Sequence, residues 1–186
     1  ARRAFKKALK IVQETENDVL QATIRQNLGS TYIRIEKYEQ ALDHLQKALE
    51  LFKRQKHRYG EASCWHEMAL IYYHQTNYEN ALEMYKKSLK IRQQIGDLAG
   101  EASTLSNLGI MAANNGHVEE GLYLVVLSSM IFRTIGHKDQ KTIESLANSM
   151  ASKLQYTQKQ SDAMLQEVQE YYQRDRGWGL IEAAFA

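Results

Sequence analysis

Three stretches decide how this chain is read: Gln21–Phe52 (QATIRQNLGSTYIRIEKYEQALDHLQKALELF), Glu61–Arg92 (EASCWHEMALIYYHQTNYENALEMYKKSLKIR) and Glu101–Phe132 (EASTLSNLGIMAANNGHVEEGLYLVVLSSMIF). Set above one another they align without a gap at a period of 40. Leu28-Gly29 falls over Met68-Ala69 and Leu108-Gly109, Tyr38 over Tyr78 and Val118, and Ala41-Leu42 over Ala81-Leu82 and Gly121-Leu122. A fixed period of this length marks a repeat architecture in which each unit buries its apolar face only against its neighbours. Ala1, Phe5, Ala8 and Leu9 stand 40 before Ala41, Leu45, Ala48 and Leu49, so the chain is expected to open on the second helix of an earlier unit. Beyond residue 137 the register decays.

Within a unit the apolar residues recur at three and four, the helical period. Trp65, Met68, Ala69 and Tyr72 form one stripe, and Ala81, Leu82, Tyr85, Ser88 and Leu89 form a second. Asn77-Tyr78 separates them, with Asn able to end one helix or cap the next. Gly29, Ala69 and Gly109 sit in mid-helix, where Gly costs about 1 kcal/mol relative to Ala. Close approach to Ala41, Ala81 and Gly121 on the second helix is the expected reason. Helices throughout are consistent with no proline and only 10 glycines in 186 residues.

These residues resemble the tetratricopeptide repeat. Trp65, Met68-Ala69, Tyr72, Tyr78, Ala81, Tyr85 and Ser88 match places of that motif, with Ser88 for its usual alanine. The period of 40 instead of 34, and the Asn-Leu-Gly triplets at Asn27 and Asn107, are similar to the long-repeat branch. That branch includes Pins-like spindle adaptors, kinesin light chains and bacterial regulators. The resemblance implies an all-α, right-handed superhelical solenoid of antiparallel helix pairs, with the first helix of each pair lining a concave groove. The expected organisation is a partial helix at 1–17, repeats at 18–57, 58–97 and 98–137, a degenerate repeat or capping helices at 138–176, and an apolar tail at 177–186. The tail is expected to fold onto its own array; insertion into a neighbouring molecule, giving self-association, or the start of a further element are the alternatives.

Cys64-Trp65-His66-Glu67-Met68 imitates an active site. Trp65 takes a packing place of the motif, and Cys64 stands where Ile24 and Thr104 stand, so a small buried thiol is expected. Neither a base nor an oxyanion site is recognisable for a nucleophile. His74 lies eight residues from His66, about 12 Å along a helix, too far to share a metal. Neither catalysis, a metal nor a cofactor is expected.

On the groove side of the first helices the resemblance places Gln26, Asn27, Ser30, Ile33 and Arg34, then His66, Tyr73 and His74, then Ser106, Asn107, Ile110, Ala113 and Asn114. Asn can both donate to and accept from a peptide backbone, Arg34 can pair with a carboxylate, and the rings supply flat contact area. The residues expected to bind a partner peptide are Gln26, Asn27, Ser30, Arg34, His66, Tyr73, His74, Asn107, Ile110 and Asn114. Solvated polar helix faces are the plainer reading of the same set. A basic clamp for a terminal carboxylate is not expected, because its places hold Gln26, Ser30, Glu67, Ser103 and Asn107.

With Lys+Arg 24 against Asp+Glu 22, nucleic acid is not the expected partner. The basic cluster Lys53 to Arg58 at a helix end reads as dipole-complementing surface. Leu124 to Leu127, with Leu122 and Ile131, is apolar nearly all round and calls for burial on more than one side. A single cysteine suits a reducing, cytoplasmic setting, and no apolar run approaches a membrane span. The function expected is a non-enzymatic scaffold binding a partner peptide or helix. The alternative is a ligand- or peptide-sensing regulatory domain of a larger signalling or transcription protein.

Overall fold

The computed structural model describes residues 17–186 together with 7, 10 and 11. The register seen at Ala1, Phe5, Ala8 and Leu9 lies outside the described residues. The chain forms two compact units, residues 1–95 and 96–186. Unit 1 holds α1 (Asp18–Arg34), α2 (Tyr38–Arg54), α3 (Arg58–His74) and α4 (Tyr78–Ile95). Unit 2 holds α5 (Leu98–Asn114), α6 (Val118–Thr134), α7 (Gln140–Lys153), α8 (Gln158–Asp175) and α9 (Trp178–Ala184). No strand occurs among the described residues. The fold is an all-α helical repeat array.

The helices end in a recurring way. Two residues past α1, α2 and α3 the backbone turns left-handed at Glu36, Lys56 and Thr76, with φ of 58°, 53° and 57°. Gly96, Gly116 and Gly136 take the same places later in the chain. That conformation lets the next N–H reach back to the closing turn. Lys37, His57, Asn77, His117 and His137 donate to the carbonyls of Tyr32, Phe52, Tyr72, Ala112 and Phe132 at 2.9–3.0 Å. The new helix then starts on a side-chain cap at several of these sites. His57 Nδ1 accepts from the Gly60 N–H at 3.0 Å, and Asp97 Oδ1 from the Gly100 N–H at 3.0 Å.

Packing inside each pair follows the small residues. A Cβ on Gly109 would sit 2.6 Å from the Gly121 carbonyl oxygen, and one on Gly121 would sit 2.5 Å from that of Gly109. In unit 1, a Cβ on Gly29 would fall 2.7 Å from Leu45 Cγ and 3.4 Å from the Ala41 carbonyl. Ser88 uses its place for more than volume, since its hydroxyl donates to the Ala62 carbonyl at 2.8 Å. Ser128 repeats this bond to Ala102 at 2.7 Å.

Burial of α6 is nearly complete: Leu124, Val125 and Leu127 are fully buried. Its neighbours α5, α7, α8 and α9 all pack on it. The last two long helices do not close as a hairpin; α7 and α8 each seat on α6, leaving a cleft of about 230 Å³ between them. The tail packs in cis. Leu180, Ile181 and Ala184 of α9 are buried against α6 and α8. At the joint, Arg176 adopts φ 59° and pairs with Glu101, which is fully buried on α5.

Candidate functional site

In unit 1 the first helices α1 and α3 lie side by side, and polar side chains join them. Glu67 on α3 accepts from Gln26 Nε2 at 2.7 Å through one carboxylate oxygen and from the Ser30 hydroxyl through the other. Burial raises the Glu67 carboxyl above its ordinary range, and the bonds from Ser30 and Gln26 oppose the rise. Two of the expected groove residues, Gln26 and Ser30, are therefore engaged in holding α1 to α3. Glu67 contributes as the acceptor between them, beyond excluding a carboxylate. The pairing follows from spacing: Gln26 and Glu67 are 41 apart, one residue more than the period, so parallel first helices bring them face to face.

Beside this bridge lies His66, half-buried, with its ring edge against Tyr85 at 5.4 Å between centroids. Burial first, and then the Arg92 charge, hold its pKa down to about 3, so it is neutral. Arg92 is itself buried and donates from Nε to the Ser88 hydroxyl at 3.1 Å. At the far end of α3 the rings gather. Tyr73 lies 5.6 Å from His74 and 6.1 Å from Tyr78, and His74 stacks on Tyr38 at 5.9 Å and 12°. Asn27 and Arg34 are exposed on α1, and Arg34 reaches Thr31 Oγ1 at 3.5 Å.

In unit 2, Asn107, Ile110 and Asn114 share one face of α5 by their spacing. Asn107 and Ile110 are half-buried and Asn114 is exposed. Ser106 is buried, which takes it off the accessible face. Here α7 packs chiefly on α6, so unit 2 does not repeat the bridged pair of first helices seen in unit 1.

The surroundings of Cys64 are those of a packing residue. The thiol is fully buried, and burial followed by Glu67 and Glu61 pushes its pKa far up, away from a thiolate. Among the described residues, no group of three or more His, Cys, Asp or Glu is placed to hold a metal ion. Trp65 is partly buried, with Lys53 Nζ 4.8 Å and Lys87 Nζ 4.7 Å from its ring centroid. Arg54 and Arg58 of the basic cluster are engaged within the unit. Arg54 pairs with Asp18 at 2.9 Å, and Arg58 with Glu61 at 2.7 Å and with Gln94 at 2.8 Å. Such an arrangement can present hydrogen-bonding and aromatic groups from a rigid helix pair.

Comparison with known proteins agrees with this geometry. The family described as "Tetratricopeptide repeat" matches residues 1–54 and 60–120, more than half of the chain. No curated protein matches the sequence. Among solved structures, the apo form of RapI superposes with a TM-score of 0.75 at 18% identity, covering 100% of this chain and 74% of that one. BtubC (BKLC) from P. vanneervenii gives a TM-score of 0.73 at 17% identity, covering 95% of this chain and 75% of that one. At these identities the likeness is one of fold.

Proposed function

The chain belongs to the tetratricopeptide repeat family, and on that premise we propose that it is a non-enzymatic interaction scaffold whose α1/α3 face binds a peptide segment of a partner protein. The observation that carries this reading is the Glu67 bridge. It fixes two helices in register at a cost of carboxylate burial, and a fixed face lowers the ordering cost of binding. Around it stand Asn27 for a peptide backbone, Arg34 for an acidic group, and Tyr73 and His74 for flat contact. Asn107, Ile110 and Asn114 offer a comparable face on α5. No step of bond making enters this reading: the one thiol is buried, and burial holds it away from the thiolate. No helix among the described residues is long and apolar enough to cross a membrane. The free buried thiol suits a reducing cytoplasm.

The test is a peptide-display selection against the chain, repeated with Asn27→Ala/Tyr73→Ala, with helicity of both proteins followed by circular dichroism. One sequence motif enriched by the parent and lost by the folded variant is the expected result. Enrichment indifferent to both substitutions would remove the α1/α3 face from the reading.

A further inference from the structure

Two shallow, open cavities lie side by side on the surface at the start of α2. One, of about 320 Å³, is lined by Tyr32, Glu39, Gln40, Asp43 and His44. The other, of about 430 Å³, is lined by Glu36, Lys37, Tyr38, Glu39, Gln40 and Gln75. Glu39 and Gln40 form the ridge they share.

His44 is the anomaly here. It is 8% exposed, and its Nδ1 has no hydrogen-bond partner. Its ring stacks on Tyr32 at 5.4 Å and 11°. Packing does not demand an imidazole, because the same place one and two periods later holds Met84 and Leu124. A buried polar group left unsatisfied is destabilising, so the first repeat carries a histidine where an apolar residue is more stable. Burial lowers the His44 pKa, with Asp43 acting against it and Arg25 and Lys47 with it. The ring is then neutral and keeps one acceptor nitrogen.

Other groups in the lining point to the same chemistry. Three carboxylates, Glu36, Glu39 and Asp43, face one ammonium in the lining, Lys37, and Asp43 is bonded by Lys47 at 2.7 Å. A first-turn acid complements the helix dipole, which accounts for Glu39 alone. Each cavity also has one tyrosine, Tyr32 or Tyr38, and a guanidinium stacks well on such a ring. Acceptors and π-faces around an unsatisfied imidazole call for a donor-rich cation.

We propose that these two cavities take a pair of arginine side chains from an extended segment of a partner protein, one in each, with Glu39 as the carboxylate between them. Alternate residues of an extended segment point the same way, so the two arginines stand one residue apart. The site borders the α1/α3 face through the Tyr38–His74 stack but does not depend on it.

The probe is an acetylated, amidated, fluorescein-labelled Arg-Gly-Arg peptide titrated by anisotropy into the full chain. Glu39→Gln is expected to weaken it about tenfold or more, the loss of a charge-assisted bond. His44→Met is expected to weaken it severalfold while raising the thermal midpoint, the opposing pair of changes that a functional residue in a packing place gives. Glu79→Gln, the equivalent acid one period later, should leave binding within about twofold, since Glu79 lines neither cavity. The Asn27→Ala/Tyr73→Ala variant should bind as the parent does. The proposal is overturned by no measurable binding, by equal binding of a citrulline-for-arginine peptide, or by equal affinity for spermine. Loss in Glu79→Gln or in Asn27→Ala/Tyr73→Ala as large as in Glu39→Gln overturns it too, as does unchanged affinity in both Glu39→Gln and His44→Met.

Discussion

Gly109→Ala sets two effects of known size against each other. Alanine in mid-helix is favoured over glycine by about 1 kcal/mol, so propensity alone predicts a more stable protein. The added Cβ would stand 2.6 Å from the Gly121 carbonyl oxygen and 3.1 Å from the Val125 nitrogen, where ordinary contact begins at 3.4 Å. Both obstacles are backbone and cannot rotate aside, so α5 and α6 must part by about 0.8 Å. A gap of about 0.5–1 Å forfeits a quarter to a half of each dispersion contact it opens. Leu105, Leu108, Leu122 and Val125 are fully buried in unit 2. At about 1 kcal/mol for each, the gross loss is about 4 kcal/mol before relaxation. Relaxation and the propensity gain leave a net destabilisation of about 2 kcal/mol, within the usual range for overpacking. Urea unfolding followed by circular dichroism reads it as a lower midpoint at unchanged slope. Gly121→Ala should cost a similar amount, and the double variant less than the sum, because one separation serves both. A neutral or stabilised Gly109→Ala, or strict additivity, would refute the close approach as the reason for these glycines.

Three further outcomes are expected. Thr76→Gly and Lys56→Gly should each stabilise unit 1 by about 0.5–1 kcal/mol, since left-handed backbone costs other residues about 1–2 kcal/mol and glycine returns part of that as unfolded-chain entropy; lower urea midpoints would sink the idea. Below pH 6.5 and down to about 3 the unfolded chain protonates His66 while the folded one does not, so stability falls with pH by up to about 1.4 kcal/mol per unit. His66→Phe should remove that share of the slope, and Glu67→Gln should remove a share of opposite sign, because a raised carboxyl pKa loses stability as pH rises from 4.5 through the folded value. Matching slopes in parent and His66→Phe would contradict the first of these. Ile181→Ala should cost about 2–4 kcal/mol as a buried truncation, with a parent midpoint independent of protein concentration; a concentration-dependent midpoint would place α9 in a neighbouring molecule.

A good part of this was legible in the chain alone. The period of 40 locates the helices because each unit repeats one amphipathic pattern, and the small residues at Gly109 and Gly121 mark a close pair. Cys64 could be recognised as a packing residue because its register mates are Ile24 and Thr104. The all-apolar run at Leu124 to Leu127 required burial on several sides, which four surrounding helices supply.

What the sequence left open depends on side chains far apart in the chain and on backbone choices that composition does not encode. Glu36, Lys56 and Thr76 carry no glycine signal, yet they turn left-handed because the helix ends and their neighbours over-determine them. Gln26 and Ser30 read as groove positions and Glu67 only as a place that excludes a carboxylate clamp; their bridge exists because α1 and α3 lie side by side. Glu101 is a buried partner of Arg176 only by virtue of the turn at residue 176 and the docking of α9. Periodicity determines which face of a helix is buried, because that is a local property of the pattern. Which polar groups meet, and at what cost in burial, is decided by the packing of whole helices, and only the tertiary structure holds that information.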